Sequence, residues 1–147
     1  MRSRMPVIYV DPVLIEQVLV NLLKNAAEAM AEARPNAIDP VIRVIVKREG
    51  GNVCISVVDQ GPGVDEATAE RLFEPFYSTK SDGMGMGLNI CRSIIESHRG
   101  RLWVVNNVES DGHISGATFH CSLPIGESDT SSRSSDEPTP QTVTGEP

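Results

Sequence analysis

The sequence predicts an α/β domain, and three observations carry that reading. The first is a long amphipathic helix over residues 11 to 33. The second is a pair of β-branched runs, 41 to 48 and 53 to 58, joined at a Gly-Gly turn. The third is a later helix from Leu88, stopped at Gly100, with two more strand-like runs behind it.

Residues 6 to 10, PVIYV, read as a short strand leading into the first helix. Asp11 suits that helix's N-cap and Pro12 its first turn, where a missing N–H costs nothing. Ile15, Val18, Leu19, Leu22, Ala26, Met30 and Ala33 recur every three or four residues and form one apolar stripe. A second stripe, Asn21, Asn25, Glu28 and Glu32, lies roughly opposite. Asparagine is a poor helix former, so two of them one turn apart either mark an idle polar face or supply neutral amide oxygens. A hard cation such as Mg2+ takes oxygen ligands and, on nucleotide phosphates, uses only one or two from the protein.

Prolines at 35 and 40 break the chain after the helix. VIRVIVKR (41–48) and VCISVV (53–58) then read as an antiparallel hairpin about Gly50-Gly51. The second strand ends in Asp59-Gln60-Gly61-Pro62-Gly63. A short acidic helix is expected near 65–72, followed by FEPFYSTKSD, a polar connection of the kind that forms lids. Gly83-Met84-Gly85-Met86-Gly87-Leu88 opens the second long helix. Its apolar face is Leu88, Cys91, Ile94, Ile95 and His98, and Gly100 is placed to end it. RLWVV (101–105) and ATFHCSL (117–123) complete the strands, with a polar connection from Asn106 to Gly116.

The 147 residues suffice for one domain with one core. Net charge is −7. The stretch from Ile125 onward holds five acids and one base, a net of −4, which leaves −3 for residues 1 to 124. Neither part carries the clustered positive charge of a nucleic-acid or membrane-surface binder. No run approaches the roughly 20 apolar residues of a membrane-spanning helix, and MRSRMP has no apolar segment behind its arginines. Cys54, Cys91 and Cys121 are odd in number, lack metal spacing and sit in apolar runs, as buried free thiols of a reducing cytoplasm would. Residues 125–147, rich in Ser, Thr, Pro, Asp and Glu, read as a disordered tail behind a domain at 1–124.

Taken singly, the chemical signals are weak. Glycines at 83, 85 and 87 before a helix let backbone N–H groups reach phosphate oxygens, but no Lys-Ser/Thr follows them as in a P-loop. Asp59 at a strand end can accept from an exocyclic amine beside glycines that leave room for a flat ring, or can serve an ordinary turn. Lys80 is either solvated or neutralises a terminal phosphate from the lid. Phe73, Phe76 and Tyr77 either hinge the lid or anchor it to the core.

Their order is what gives them weight: NLLKNA, DQGPGV, FEPFYSTK, GMGMGL. Over about residues 6 to 124 the chain resembles the catalytic and ATP-binding domain of sensor histidine kinases, with their N box, two glycine boxes and F box. It is most similar to the oxygen-, nitrogen- and dicarboxylate-sensing subgroup. The resemblance implies the Bergerat fold, a two-layer α/β sandwich with a mixed, mostly antiparallel sheet covered on one face by helices. It implies ATP and Mg2+ as cofactors, with Asn25 on the metal, Asn21 in support, and Asn21, Asn25 and Lys80 as the catalytic set. Asp59 would take the adenine amine, with Gly61, Gly63 and Val64 shaping the pocket and Thr118 near the base. Thr79, Lys80, Gly83, Met84, Gly85, Met86, Gly87 and Leu88 would cradle the phosphates. Glu28 borders Asn25 with no role assigned.

Fold relatives that hydrolyse ATP or phosphorylate serine typically carry Glu where this chain has Asn21. An amide cannot take a proton, whereas a histidine acceptor already offers a lone pair. The resemblance therefore implies γ-phosphoryl transfer to histidine. A GHKL-fold ATPase or serine kinase, or a regulatory nucleotide-binding module, are the alternatives. His98, His113 and His120 lack the setting of a phosphoacceptor, so each is expected to be structural. The implied partners are a dimerisation and phosphoacceptor hairpin outside this sequence and, through it, a response regulator. A cytoplasmic, monomeric fragment of a dimeric kinase is the expected state, with no nucleic-acid or membrane contact of its own.

Overall fold

The computed structural model describes residues 4–33, 36, 38–75 and 87–126. Helix α1 spans Pro12–Ala33, strands β1 and β2 Arg43–Glu49 and Asn52–Val58, and the short helix α2 Glu66–Arg71. Helix α3 spans Gly87–Ser97, and strands β3 and β4 Arg101–Val108 and Ile114–Pro124. The four strands form one sheet in the order β1-β2-β4-β3. Every pairing among them is antiparallel, so the expected mixed sheet is fully antiparallel over the described residues.

Asp11 caps α1 as expected: its Oδ1 accepts from the N–H of Val13 at 3.0 Å and of Leu14 at 3.2 Å. The helix buries Ile15, Val18, Leu22, Ala26 and Met30. With Cys91, Ile94 and Ile95 of α3 and Val57, Leu102, Phe119, Cys121 and Leu123 of the sheet, most of these build one core. Each large aliphatic side chain so buried contributes about 1.5–3 kcal/mol. The Asn stripe is not opposite the apolar one. At about 100° per residue, Asn21 and Asn25 stand roughly a quarter turn from it, half-buried on the flank. There the Asn21 amide donates to Cys91 Sγ at 3.5 Å, so the stripe leans on α3. All three cysteines are free and buried.

Alternation along the strands sorts the two sheet faces. Val57 and Phe119 pair across β2 and β4 within the core, so they and their alternates face the helices. Val58, Ser56, Thr118 and His120 therefore face away. The hairpin turn falls at Gly50-Gly51, with Gly50 at φ +60°. Strands β3 and β4 outrun their expected ends. Asn106 and Asn107 stay in the ladder, and the turn shrinks to 109–113.

One expected element is absent. Residues 6–10 form no strand, although Ile8 and Val10 pack on the core while Val7 and Tyr9 are exposed. Alternating burial produced the strand-like pattern, but a strand also needs a ladder partner, and none of the described strands pairs with it. The expected acidic helix is α2, capped by Asp65, whose Oδ1 accepts from Thr68 N–H at 2.7 Å. These backbone and side-chain bonds hold the Asp65 carboxyl below its usual range. Residues 127–147, nearly all of the expected tail, lie outside the described residues.

Candidate functional site

The site begins at the end of β2. Asp59 is 3% exposed, and its Oδ1 accepts from Gly61 N–H at 2.9 Å and from Ala117 N–H at 3.0 Å. Its own N–H donates to Ala117 O at 2.9 Å. The carboxylate is thus fixed by one oxygen, and among the described residues no hydrogen bond takes up Oδ2. A rigid carboxylate with one uncommitted acceptor suits an incoming N–H donor.

The loop after Asp59 is clamped on both sides. The Asn106 side chain forms a two-way bond with Val64, accepting from its N–H at 2.8 Å and donating to its carbonyl at 2.6 Å. On the other side Gly61 presses on α1: a Cβ there would lie 2.9 Å from Ala29 Cβ. Ala29 is one turn beyond Asn25, so the Asp59 loop and the Asn face of α1 border the same region. Gly63, at φ +79°, has Ile114 Cγ2 at 2.5 Å and Asn106 Oδ1 at 2.9 Å from where its Cβ would sit. These glycines were expected to leave room for a ring. The space they leave is filled by the protein's own atoms, so their direct task is to let the loop pack and turn.

Thr118 requires a correction. It neighbours Phe119 on β4 and so points to the face away from the helices, where its Oγ1 donates to Asn107 Oδ1 at 2.6 Å. The inward position beside Asp59 belongs to Ala117. A motif assigned without register cannot separate adjacent strand residues, yet those residues face opposite sides.

Helix α3 forms the other wall. Among the described residues, a Cβ on Gly87 would meet nothing within 4 Å. Leu88 is partly buried against the core. Asn89 Oδ1, in the same first turn, is buried without a hydrogen-bond partner. An orphaned acceptor suits an amine or hydroxyl rather than a phosphate. No sequence signal distinguished this asparagine. Phe73 anchors the end of the α2 segment, partly buried against the core with the Arg92 guanidinium 5.5 Å over its ring. Phe76, Tyr77, Thr79, Lys80, Gly83, Met84, Gly85 and Met86 lie outside the described residues. The structure brings the segments together at two contacts: Gly61 of the loop that carries Asp59, Gly63 and Val64 meets Ala29 of α1, and Asn21 of α1, the helix of Asn25 and Glu28, meets Cys91 of α3, the helix that Gly87 and Leu88 begin.

Two helices lie on one face of an antiparallel sheet, with a carboxylate-glycine loop against an Asn-bearing helix, and this arrangement is that of a known class of ATPase domains. The chain belongs to the histidine kinase-, DNA gyrase B- and HSP90-like ATPase family, whose model matches residues 10–127. It is 54% identical over 123 residues to the C4-dicarboxylate transport sensor protein DctS of Rhodobacter capsulatus, covering 84% of this chain and 18% of that one. The chain thus spans under a fifth of that relative's length. Among solved structures it is similar to the nucleotide-free catalytic domain of histidine kinase ThkA. The TM-score is 0.67 at 34% identity, over 80% of this chain and 70% of that one. Full-length ShkA in complex with AMPPNP gives a TM-score of 0.67 at 27% identity, over 84% of this chain and 24% of that one.

Proposed function

We propose that this chain is the ATP-Mg2+-binding catalytic domain of a two-component sensor kinase, which transfers the γ-phosphoryl of ATP to a histidine outside the sequence. The observation that carries the reading is Asp59: a buried carboxylate locked by two backbone N–H groups, with its second oxygen uncommitted. Its loop rests on the helix of Asn21 and Asn25. The adenine amine is the donor that this acceptor fits.

The donor set also fits a nucleotide-borne metal. Among the described residues no group of three or more His, Cys, Asp or Glu could hold a metal ion. A cation here would take the Asn25 amide oxygen and complete its shell with phosphate oxygens and water, as Mg2+ does. When bound, that ion would neutralise charge on the transferring phosphoryl group. The chain's own residues position the nucleotide: Asp59 at the base, Asn25 at the metal, the N-terminus of α3 at the phosphates, with Lys80 assigned there by its motif. Asn21 spends its amide N–H on Cys91 and offers no proton acceptor of base strength, which favours a histidine over water or serine as acceptor. The binding of AMPPNP by ShkA, a relative of the same fold, supports the nucleotide assignment.

The test supplies the dimerisation hairpin of a full-length relative in trans with radiolabelled ATP. Acid-labile, base-stable label on that hairpin is the expected result. Rapid release of inorganic phosphate with no labelled hairpin would instead identify an ATPase.

A further inference from the structure

The two helices that face the nucleotide are also joined at the far end of the layer. His98 follows α3 directly. Its Nδ1 lies 2.7 Å from Ile94 O, and its Nε2 lies 3.0 Å from the backbone N of Asp11, 87 residues earlier. A backbone N–H can only donate, so Nε2 is the acceptor and the proton sits on Nδ1, which donates to Ile94 O. One imidazole therefore closes the C-terminus of α3 and holds the cap residue of α1. The turn is fixed below it, with Arg99 at φ +63° and Gly100 N–H donating to Ile95 O at 2.9 Å. Among the described residues Asn21 to Cys91 is another polar tie between these helices, on the side of the site. Low numbers on α1 meet high numbers on α3, so the helices run antiparallel. A shift at His98 changes the register between Asn25 and the start of α3.

We propose that His98 is a positioning residue for nucleotide binding: its neutral imidazole sets the α1–α3 register that aligns the metal-side amide with the phosphate-side helix start. This inference rests on the nucleotide-binding reading given above. The groups around the imidazole are the Asp11 carboxylate, occupied by the α1 cap, Ser97, whose Oγ lies 3.4 Å from Nδ1, and the Tyr9, Arg48 and Arg99 side chains that share its groove.

The test measures Mg-AMPPNP affinity of the 147-residue chain by titration calorimetry, with thermal melts to show that each variant is folded. His98→Leu is expected to weaken binding by about fivefold, the scale of one hydrogen bond. His98→Gln, which can donate and accept at once without titrating, is expected to restore it at about pH 8. Equal affinity of folded His98→Leu and wild type, or no recovery in folded His98→Gln, would overturn the proposal. Should His98→Leu fail to fold, His98→Gln decides it, and a folded His98→Gln that binds about fivefold more weakly than the wild type would overturn the proposal. No binding by the wild type at any pH would overturn the functional reading itself, and this inference with it.

Discussion

Gly61 lies against Ala29 so closely that a methyl on the glycine would stand 2.9 Å from the alanine's own. This contact couples the Asp59 loop to the helix of Asn21 and Asn25. A Gly61→Ala substitution should force the two apart, costing about 1–3 kcal/mol of stability and lowering nucleotide affinity together. The double variant Gly61→Ala, Ala29→Gly restores the space and should recover most of both. Urea unfolding and calorimetric titration check this, and no recovery in the double variant would refute the coupling.

One oxygen of Asp59 holds two backbone N–H groups and the other is the proposed acceptor for the base, and two substitutions separate them. Asp59→Asn keeps an oxygen for the Gly61 and Ala117 N–H groups while placing an amide donor where the adenine amine would arrive. It should fold nearly as the wild type and bind nucleotide at least about tenfold more weakly. Asp59→Ala leaves two buried N–H groups without an acceptor, each at a cost of about 1–3 kcal/mol. It should lose stability as well as binding, so it is the poorer probe of function.

That distinction was not legible in the sequence, and the reason is general to the site. Ordered motifs marked α1 and the Asp59 loop, which meet at Ala29 and Gly61, because each motif is a contiguous run. What the residues do inside those segments depends on contacts between runs. Asn106 is 42 residues from the Val64 backbone it clamps, and nothing local identifies it. Thr118 and Ala117 differ only in which face of β4 they occupy. The helices, hairpin and core stripe were readable, since periodicity and capping are local properties. PVIYV showed the period of a strand without the partner that makes one.

Asn25 tests the metal side separately. It is half-buried on the flank of α1, not in the core, so Asn25→Ala should leave the unfolding midpoint nearly unchanged. It should abolish the Mg2+ dependence of ATP-analogue binding. Titrations with and without Mg2+ read this directly, and an unchanged Mg2+ effect would remove Asn25 from the metal site.

The thiols predict a chemical signature. Burial pushes the Cys91 thiol up, and it pushes Cys121 to about 12, with Cys54 and Cys91 adding to the shift. The thiolate is the reactive form. At about pH 8 the native chain should release almost no colour from Ellman's reagent, and in concentrated guanidinium chloride all three thiols should react. Fast labelling of Cys91 or Cys121 in the native chain would contradict the packing of α3 on the sheet.

On the sheet face turned away from the helices, His120 is stacked on Trp103 with ring centroids 5.1 Å apart, and its Nδ1 lies 2.7 Å from Ser56 Oγ. Burial lowers its pKa from the ordinary imidazole value. Glu49 partly opposes this and Lys47 adds to it. Between that lowered value and about 6.5 the unfolded chain binds more protons than the folded one, so stability rises with pH and falls as the solution is acidified. A difference in slope between two chains that differ only at residue 120 isolates the share of that imidazole. His120→Gln, which keeps a polar partner for Ser56 but does not titrate, should flatten the dependence of the urea midpoint on pH between about 7 and 5. Superimposable slopes for the two chains would mean that the imidazole is as well solvated folded as unfolded, and the ring stack would not be the desolvated environment described here.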